Sequence, residues 1–344
     1  MKEKALDQRS VNHITGNSEG SGGGGAEECI GKAYESLKAG EADTALSLLK
    51  EALEIDFEHP EVLYAMKCLK WWLEKIKRLD DFPDPCERGE YILSQWKSYY
   101  EFLDRIREGW LPGNDAGFPS RENVDSCQYA LKRFVFSLAL KNFVALLGEN
   151  NQQDPLLLLH TGRCCKGAGE WEEALKYLEQ ASRYRREDSA ILSELADVNA
   201  LLGDPRAAKV LFREAFFLDP QGIDLPALES EMITQLRDKV RELGYTGSEL
   251  AEWIPVWGSI WGIFSIKREL KPVELGRLKQ SILSLENEYR SRSSGNQLVK
   301  PRLLNRYFWL IDYCEHNRDT SGLMDETMLK IKFIDSAVYE HYKN

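Results

Sequence analysis

No run of about twenty consecutive apolar residues occurs anywhere in the 344-residue chain, so an ordinary transmembrane helix is not expected. The opening residues, MKEKALDQRS, are polar and carry no apolar signal region; the cytoplasm is therefore the expected compartment. Histidine is scarce, and His13, His59, His160, His316 and His341 lie too far apart to suggest a metal-ligand set. None of the seven cysteines (Cys29, Cys68, Cys86, Cys127, Cys164, Cys165, Cys314) stands in a C-x2-C pair. The adjacent Cys164 and Cys165 are poorly placed to share a zinc ion. An odd count scattered over a chain this long is also unlike a disulfide scaffold. Buried thiols in a reducing compartment are expected, with neither metal nor other cofactor.

Catalytic signatures are missing as well. There is no G-x-S-x-G, H-E-x-x-H, Walker or dinucleotide-binding motif. The run Gly22-Gly23-Gly24-Gly25 is not followed by the GK[ST] of a phosphate loop. Acidic pairs such as Glu172-Glu173 fall at a helix start, where they suit the positive end of the dipole. A non-enzymatic protein is expected. Positive charge is in deficit too, with 45 Lys and Arg against 56 Asp and Glu, a net charge of −11 and a pI near 5.2. That disfavours a general nucleic-acid binder, which normally shows a basic face.

What is present is ordinary globular material, 43% apolar, enough for roughly one to three domains with their own cores. Residues 1–25 end in GNSEGSGGGG and read as a flexible tail. From Ala26 onward apolar positions recur every three or four residues, the signature of amphipathic helices, and strict alternation is almost absent.

Two segments align at a spacing of 34. Leu158, Gly162, Gly169, Ala174, Leu178 and Ala181 map onto Leu192, Ala196, Gly203, Ala208, Phe212 and Ala215, with Asp219-Pro220 closing the second unit. Small residues at Gly162/Ala196 and Ala174/Ala208 allow two helices to approach closely, and Gly169 and Gly203 allow a tight turn. A third copy, GEADTALSLLKEAL, places Gly40, Ala45, Leu49 and Ala52 at the same offsets, with Ala33 at the close-packing position. A worn unit at 121–154 keeps Val124, Leu131, Val144 and Leu147 without the Gly and Ala marks.

These residues resemble the tetratricopeptide repeat (TPR) family, a 34-residue helix–turn–helix repeat. Cys165 and Asn199 stand where the family carries an aromatic, and Arg186 where it carries a closing proline. The resemblance implies an all-α, right-handed solenoid of helical hairpins over 26–226. Its repeats lie near 26–59, 121–154, 155–188 and 189–222, with a long hairpin at 60–110. Helical segments near 227–243, 249–270, 273–292, 301–316 and 324–342 are expected to form an irregular C-terminal module over 227–344 that caps the open end.

In that family the first helix of each unit lines a concave groove. Carried onto this sequence, the implied contacts are Tyr129, Lys132 and Arg133, then Arg163 and Lys166, then Asp197 and Leu201. Basic residues beside an aromatic suit an acidic peptide or a C-terminal carboxylate; the competing reading is a solvated helix face. The family's carboxylate-clamp pattern is not reproduced.

A second candidate is WIPVWGSIWGIFSIKREL, where Trp253, Trp257 and Trp261 recur every four residues beside the G-x-x-x-G of Gly258 and Gly262. The apolar stretch 253–266 would measure ~21 Å as a helix, short of a ~30 Å hydrocarbon core. Three readings remain: a core helix, a protein contact, or shallow membrane insertion with Lys267, Arg268 and Lys271 at the lipid surface. The segment Lys267–Arg306 holds ten Lys and Arg against four Asp and Glu, a candidate patch for an anionic partner. RNA contact through Arg302, Arg306, Tyr307, Phe308 and Trp309 is weaker, because those aromatics follow a core-like helical pattern.

The reading is a scaffold or adaptor for a protein partner, with a peripheral membrane adaptor as the alternative; nothing in the sequence sets an oligomeric state. WIPVWGSIWGIFSIKREL and PRLLNRYFWLIDY also resemble segments of spirochaete repeat proteins, a group that includes flagellar motor collar components.

Overall fold

A computed structural model describes residues 23–110, 117–148, 153–264, 270–291, 297–318 and 322–343. Among them are fifteen α-helices and no β-strand. Two compact units divide them: one holds the chain up to Asp81 together with Ser94–Phe134, the other Phe82–Leu93 and the chain from Val135 onward.

In the first unit, α1 (Gly23–Lys38) packs on α2 (Ala42–Ile55), and α2 on α3 (Pro60–Ile76), which runs into a 3-10 turn at Lys77–Asp81. Two long helices, α4 (Pro85–Gly109) and α5 (Arg121–Val144), contribute Ser94–Gly109 and Arg121–Phe134 to this unit. Aromatic rings fill much of its core. Trp72 lies 5.2 Å from Tyr99 and 5.6 Å from Trp96, and Trp71 stacks on Phe102 at 5.3 Å.

The second unit begins its regular pairing with α6 (Pro155–Gly167) against α7 (Trp171–Tyr184) and α8 (Ser189–Leu201) against α9 (Pro205–Leu218). Asp154 and Asp188, 34 residues apart, cap α6 and α8 by accepting from Leu156 N at 2.9 Å and Ala190 N at 3.0 Å. Then come α10 (Glu231–Glu242), α11 (Gly247–Ile260), α12 (Pro272–Arg290), α13 (Val299–His316), α14 (Leu323–Ile334) and α15 (Ser336–Lys343). Neighbours pair here too: α10 with α11, α12 with α13, α14 with α15.

The α1–α2, α6–α7 and α8–α9 hairpins turn in the same way. Gly40, Gly169 and Gly203 take φ of +89°, +79° and +85°. The next residue then donates back to the last helical turn: Glu41 N to Ser36 O, Glu170 N to Cys165 O and Asp204 N to Asn199 O, at 2.8–2.9 Å. Beyond each turn the same three offsets are fully enclosed: Ala45, Leu49 and Ala52; Ala174, Leu178 and Ala181; Ala208, Phe212 and Ala215. A Cβ built on Gly162 would stand 2.6 Å from Leu178, so the helices of this hairpin meet closely at the position where the repeat carries a small residue. Nothing lies within 4 Å of a Cβ built on Gly203. Gly203→Ala should therefore cost only its left-handed backbone, about 1 kcal/mol, whereas Gly162→Leu should overpack and cost about 1–3 kcal/mol or more. Urea denaturation of the two variants checks the order.

The expected hairpin at 121–154 is not formed. Residues 121–144 are one uninterrupted helix. Val135 sits where the turn glycine would stand 34 residues before Gly169, and a β-branched residue strongly resists the positive φ the turn requires. The expected helix 249–270 stops at Ile260, where Trp261 caps it and Gly262 takes φ of +69°. The expected helix 324–342 is two helices, broken at the extended Asp335, whose carboxylate accepts from Val338 N at 3.0 Å. No break in the core falls at 226: Phe212 and Phe216 share one cluster with Leu236, Trp253, Trp257, Leu303, Phe308 and Val338.

Candidate functional site

In the first unit, of the proposed groove residues on α5, Tyr129 is exposed and Lys132 and Arg133 are half-buried. Tyr129 is 50% exposed. The Lys38 ammonium lies 5.5 Å and the Arg133 guanidinium 5.8 Å from its ring centre. Arg133 Nη1 donates to the Tyr129 hydroxyl at 3.0 Å, and Lys38 also pairs with Glu35 at 2.7 Å. Lys132 is half-buried beside them. Tyr129 further walls a shallow concavity of about 520 Å³ with Arg121, Glu122, Asp125 and Ser126.

The groove residues of the second unit are placed quite differently, which corrects the sequence reading. Lys166 is 3% exposed and Asp197 fully buried. Lys166 Nζ donates to Glu194 Oε2 at 2.6 Å, Asp197 Oδ2 at 2.8 Å and the Ala227 carbonyl at 2.8 Å, which uses all three of its protons. Arg163 Nε donates to Glu194 Oε1 at 2.7 Å. Asp197 in turn accepts from Glu229 N at 2.9 Å and Ser230 N at 2.8 Å. Two cations and two carboxylates thus balance inside the fold, so Lys166 and Asp197 are committed there and not open to a partner. Burial alone would raise the Asp197 carboxyl and lower the Lys166 ammonium. Their mutual attraction, with Glu194 beside the lysine and Ser230 beside the aspartate, reverses both, leaving Asp197 low and Lys166 high. Leu201 is half-buried.

The Trp stripe is divided. Trp253 and Trp257 are buried, and Trp261 is 38% exposed. Tyr245 stacks on Trp253 at 4.6 Å, and His341 of α15 meets Trp257 edge-on at 5.3 Å. A Cβ on Gly258 would stand 2.4 Å from the Phe264 ring, so the first glycine of the G-x-x-x-G serves an internal contact. Trp253 and Trp257 are thus core residues, which removes them as partner or membrane contacts. Lys267 and Arg268 lie outside the described residues; Lys271 is exposed at the start of α12, its backbone N–H donating to Glu274 at 2.8 Å.

Much of the basic segment is also spent internally. Both Arg302 Nε and Nη2 reach Glu252 Oε1, at 2.8 and 2.6 Å, and Lys300 pairs with Asp335 at 2.8 Å. Arg306 donates to the Phe217 carbonyl at 2.7 Å and stacks on its ring at 3.8 Å. Burial pushes its guanidinium down to about 10, still charged at neutral pH. Tyr307, Phe308 and Trp309 are all buried, which takes them out of any RNA contact.

Five of the seven free cysteines are buried, and Cys29 and Cys86 are partly exposed. Among the described residues no group of three or more His, Cys, Asp or Glu side chains is placed to hold a metal, and no helix is long and apolar enough to cross a membrane. Sequence reasoning missed Glu194. A signal was available: Arg163 and Asp197 occupy the same repeat position 34 residues apart with opposite charge, and Glu194 lies one turn before Asp197.

Fold and site together define an all-α protein of adjacent helix pairs, with an aromatic–cation cluster open on one unit and a closed ionic cluster inside the other. Compared with protein-family models and with curated proteins, the chain finds no match.

Proposed function

We propose that the protein is a non-enzymatic scaffold of the TPR type. Its hairpins are read as a right-handed solenoid closed by the C-terminal helices, and it binds a protein or acidic peptide partner. The observation that carries this reading is the half-exposed Tyr129 ring with Lys38 and Arg133 both within 6 Å of its centre. A flat aromatic gives contact area at low entropic cost, and the cations beside it orient an anionic partner. The likeness of the C-terminal segments to spirochaete repeat proteins makes a multiprotein assembly such as a flagellar motor the first setting to examine.

The test is capture of a partner by wild type and by a Lys38→Glu/Tyr129→Ala/Arg133→Glu variant. Tyr129 is exposed and Lys38 and Arg133 are partly exposed, so helicity and melting temperature should largely hold while capture falls by about tenfold or more. Undiminished capture by the variant would rule out this surface.

A further inference from the structure

The closed cluster of the second unit has an occupant: the short segment Leu225–Ser230, between α9 and α10. We infer that the face of α6 and α8 bearing Lys166 and Asp197 is a binding site for peptide backbone, and that the chain's own Leu225–Ser230 is the ligand it holds. Three hydrogen bonds of the grip are to main-chain atoms. Lys166 takes the Ala227 carbonyl at 2.8 Å. The two oxygens of Asp197 take the successive amides of Glu229 and Ser230 at 2.9 and 2.8 Å. A carboxylate that accepts two neighbouring N–H groups, with an ammonium on a preceding carbonyl, holds an extended chain by its backbone.

Specificity comes from two apolar anchors three residues apart, Leu225 and Leu228, both buried in the cluster that includes Leu192 and Ala196 of α8. The ligand class is therefore an extended or 3-10 segment with leucine-like residues at positions i and i+3, followed by two free amides. The receptor side has contacts of its own that do not involve the segment: Glu194 accepts from Arg163 at 2.7 Å and from Lys166 at 2.6 Å, and Asp197 from Lys166 at 2.8 Å. The segment has little structure of its own. It forms a three-residue 3-10 turn at Leu225–Ala227, closed by Ala227 N to Asp224 O at 2.9 Å, and is then extended through Leu228 and Ser230. A site of this form accepts an equivalent segment from another chain whenever its own is released. This inference stands apart from the Tyr129 surface, and either can fail alone.

The probe is an acetylated peptide copying residues 222–232, added to the full-length protein. The releasing variant is Ser230→Pro. Ser230 has φ of −61°, the value proline prefers, so the substitution removes the N–H that Asp197 accepts and sets a ring carbon against the carboxylate. The peptide should bind Ser230→Pro about tenfold or more tighter than wild type. A peptide carrying proline at its own Ser230 position should lose that gain. Equal binding to wild type and variant, or no discrimination between the two peptides, overturns the inference. Hydrogen exchange on the wild type supplies a second reading that needs no variant. The Glu229 and Ser230 amides should exchange by local opening, roughly 100-fold faster than the central amides of α8. Exchange of both only at the global unfolding rate makes the segment a permanent part of the core and equally overturns the inference.

Discussion

Lys166→Met should lower the unfolding free energy by about 3–5 kcal/mol, as expected when one partner is removed from a buried ionic cluster. The methionine fills similar volume, so the loss is electrostatic. Glu194 and Asp197 would be left buried side by side, with only Arg163 to neutralise them. Adding Glu194→Gln and Asp197→Asn to Lys166→Met should recover part of the loss, because neutral amides at these sites cost less than unpaired carboxylates. Urea denaturation of the single and triple variants checks both statements, and a single-variant loss below about 1 kcal/mol would contradict the first.

The same cluster sets a pH response whose sign follows from its shifts. Asp197 is held below the ordinary carboxylate value of 3.8. Its contribution is therefore present above its unfolded pKa and is lost as pH falls through the lowered folded value. Lys166 is held above the ordinary 10.5. Its contribution is present below that value and is lost as pH rises through the folded one. Stability from this source should be flat across neutral pH and fall on both flanks, and Asp197→Asn should remove the acid flank.

Phe212→Ala should cost about 3–5 kcal/mol, the usual range for emptying a buried aromatic site. Phe212 is fully enclosed where the α8–α9 hairpin meets the C-terminal helices, in the cluster that runs on to Trp253 and Phe308. Phe333 is the control. It is 88% exposed on α14, and Phe333→Ala should change stability by no more than about 0.5 kcal/mol. Equal losses for the two substitutions, measured by chemical denaturation, would mean that the helix packing is not as described.

These contrasts show where a sequence is legible. The turn glycines at 40, 169 and 203 and the alanine, leucine and phenylalanine offsets beyond them were readable from spacing alone, and each falls in the structure where the spacing put it. The continuous α5 was missed. Val135 at a turn position already opposes the hairpin, although the surviving apolar marks at Leu131, Val144 and Leu147 suggested a repeat.

The candidate sites were far less readable. Tyr129, Lys132 and Arg133 look in the sequence much like Arg163 and Lys166, yet the first set is open or half-buried while Lys166 is enclosed. What separates them is a carboxylate 28 residues on at Glu194, another at Asp197 and a carbonyl 61 residues on at Ala227. The tryptophans are alike in spacing and differ only in what covers them, Tyr245 and His341 for the buried pair.

By itself, then, the sequence determined most of the helices, three hairpin turns and the small-residue contacts, because these depend on backbone conformation and on neighbours within one repeat. Tertiary structure alone decided which charges and aromatics remain available. A charge is free or spent, and a ring covered or open, according to groups that chain folding brings within a few ångströms from dozens of residues away.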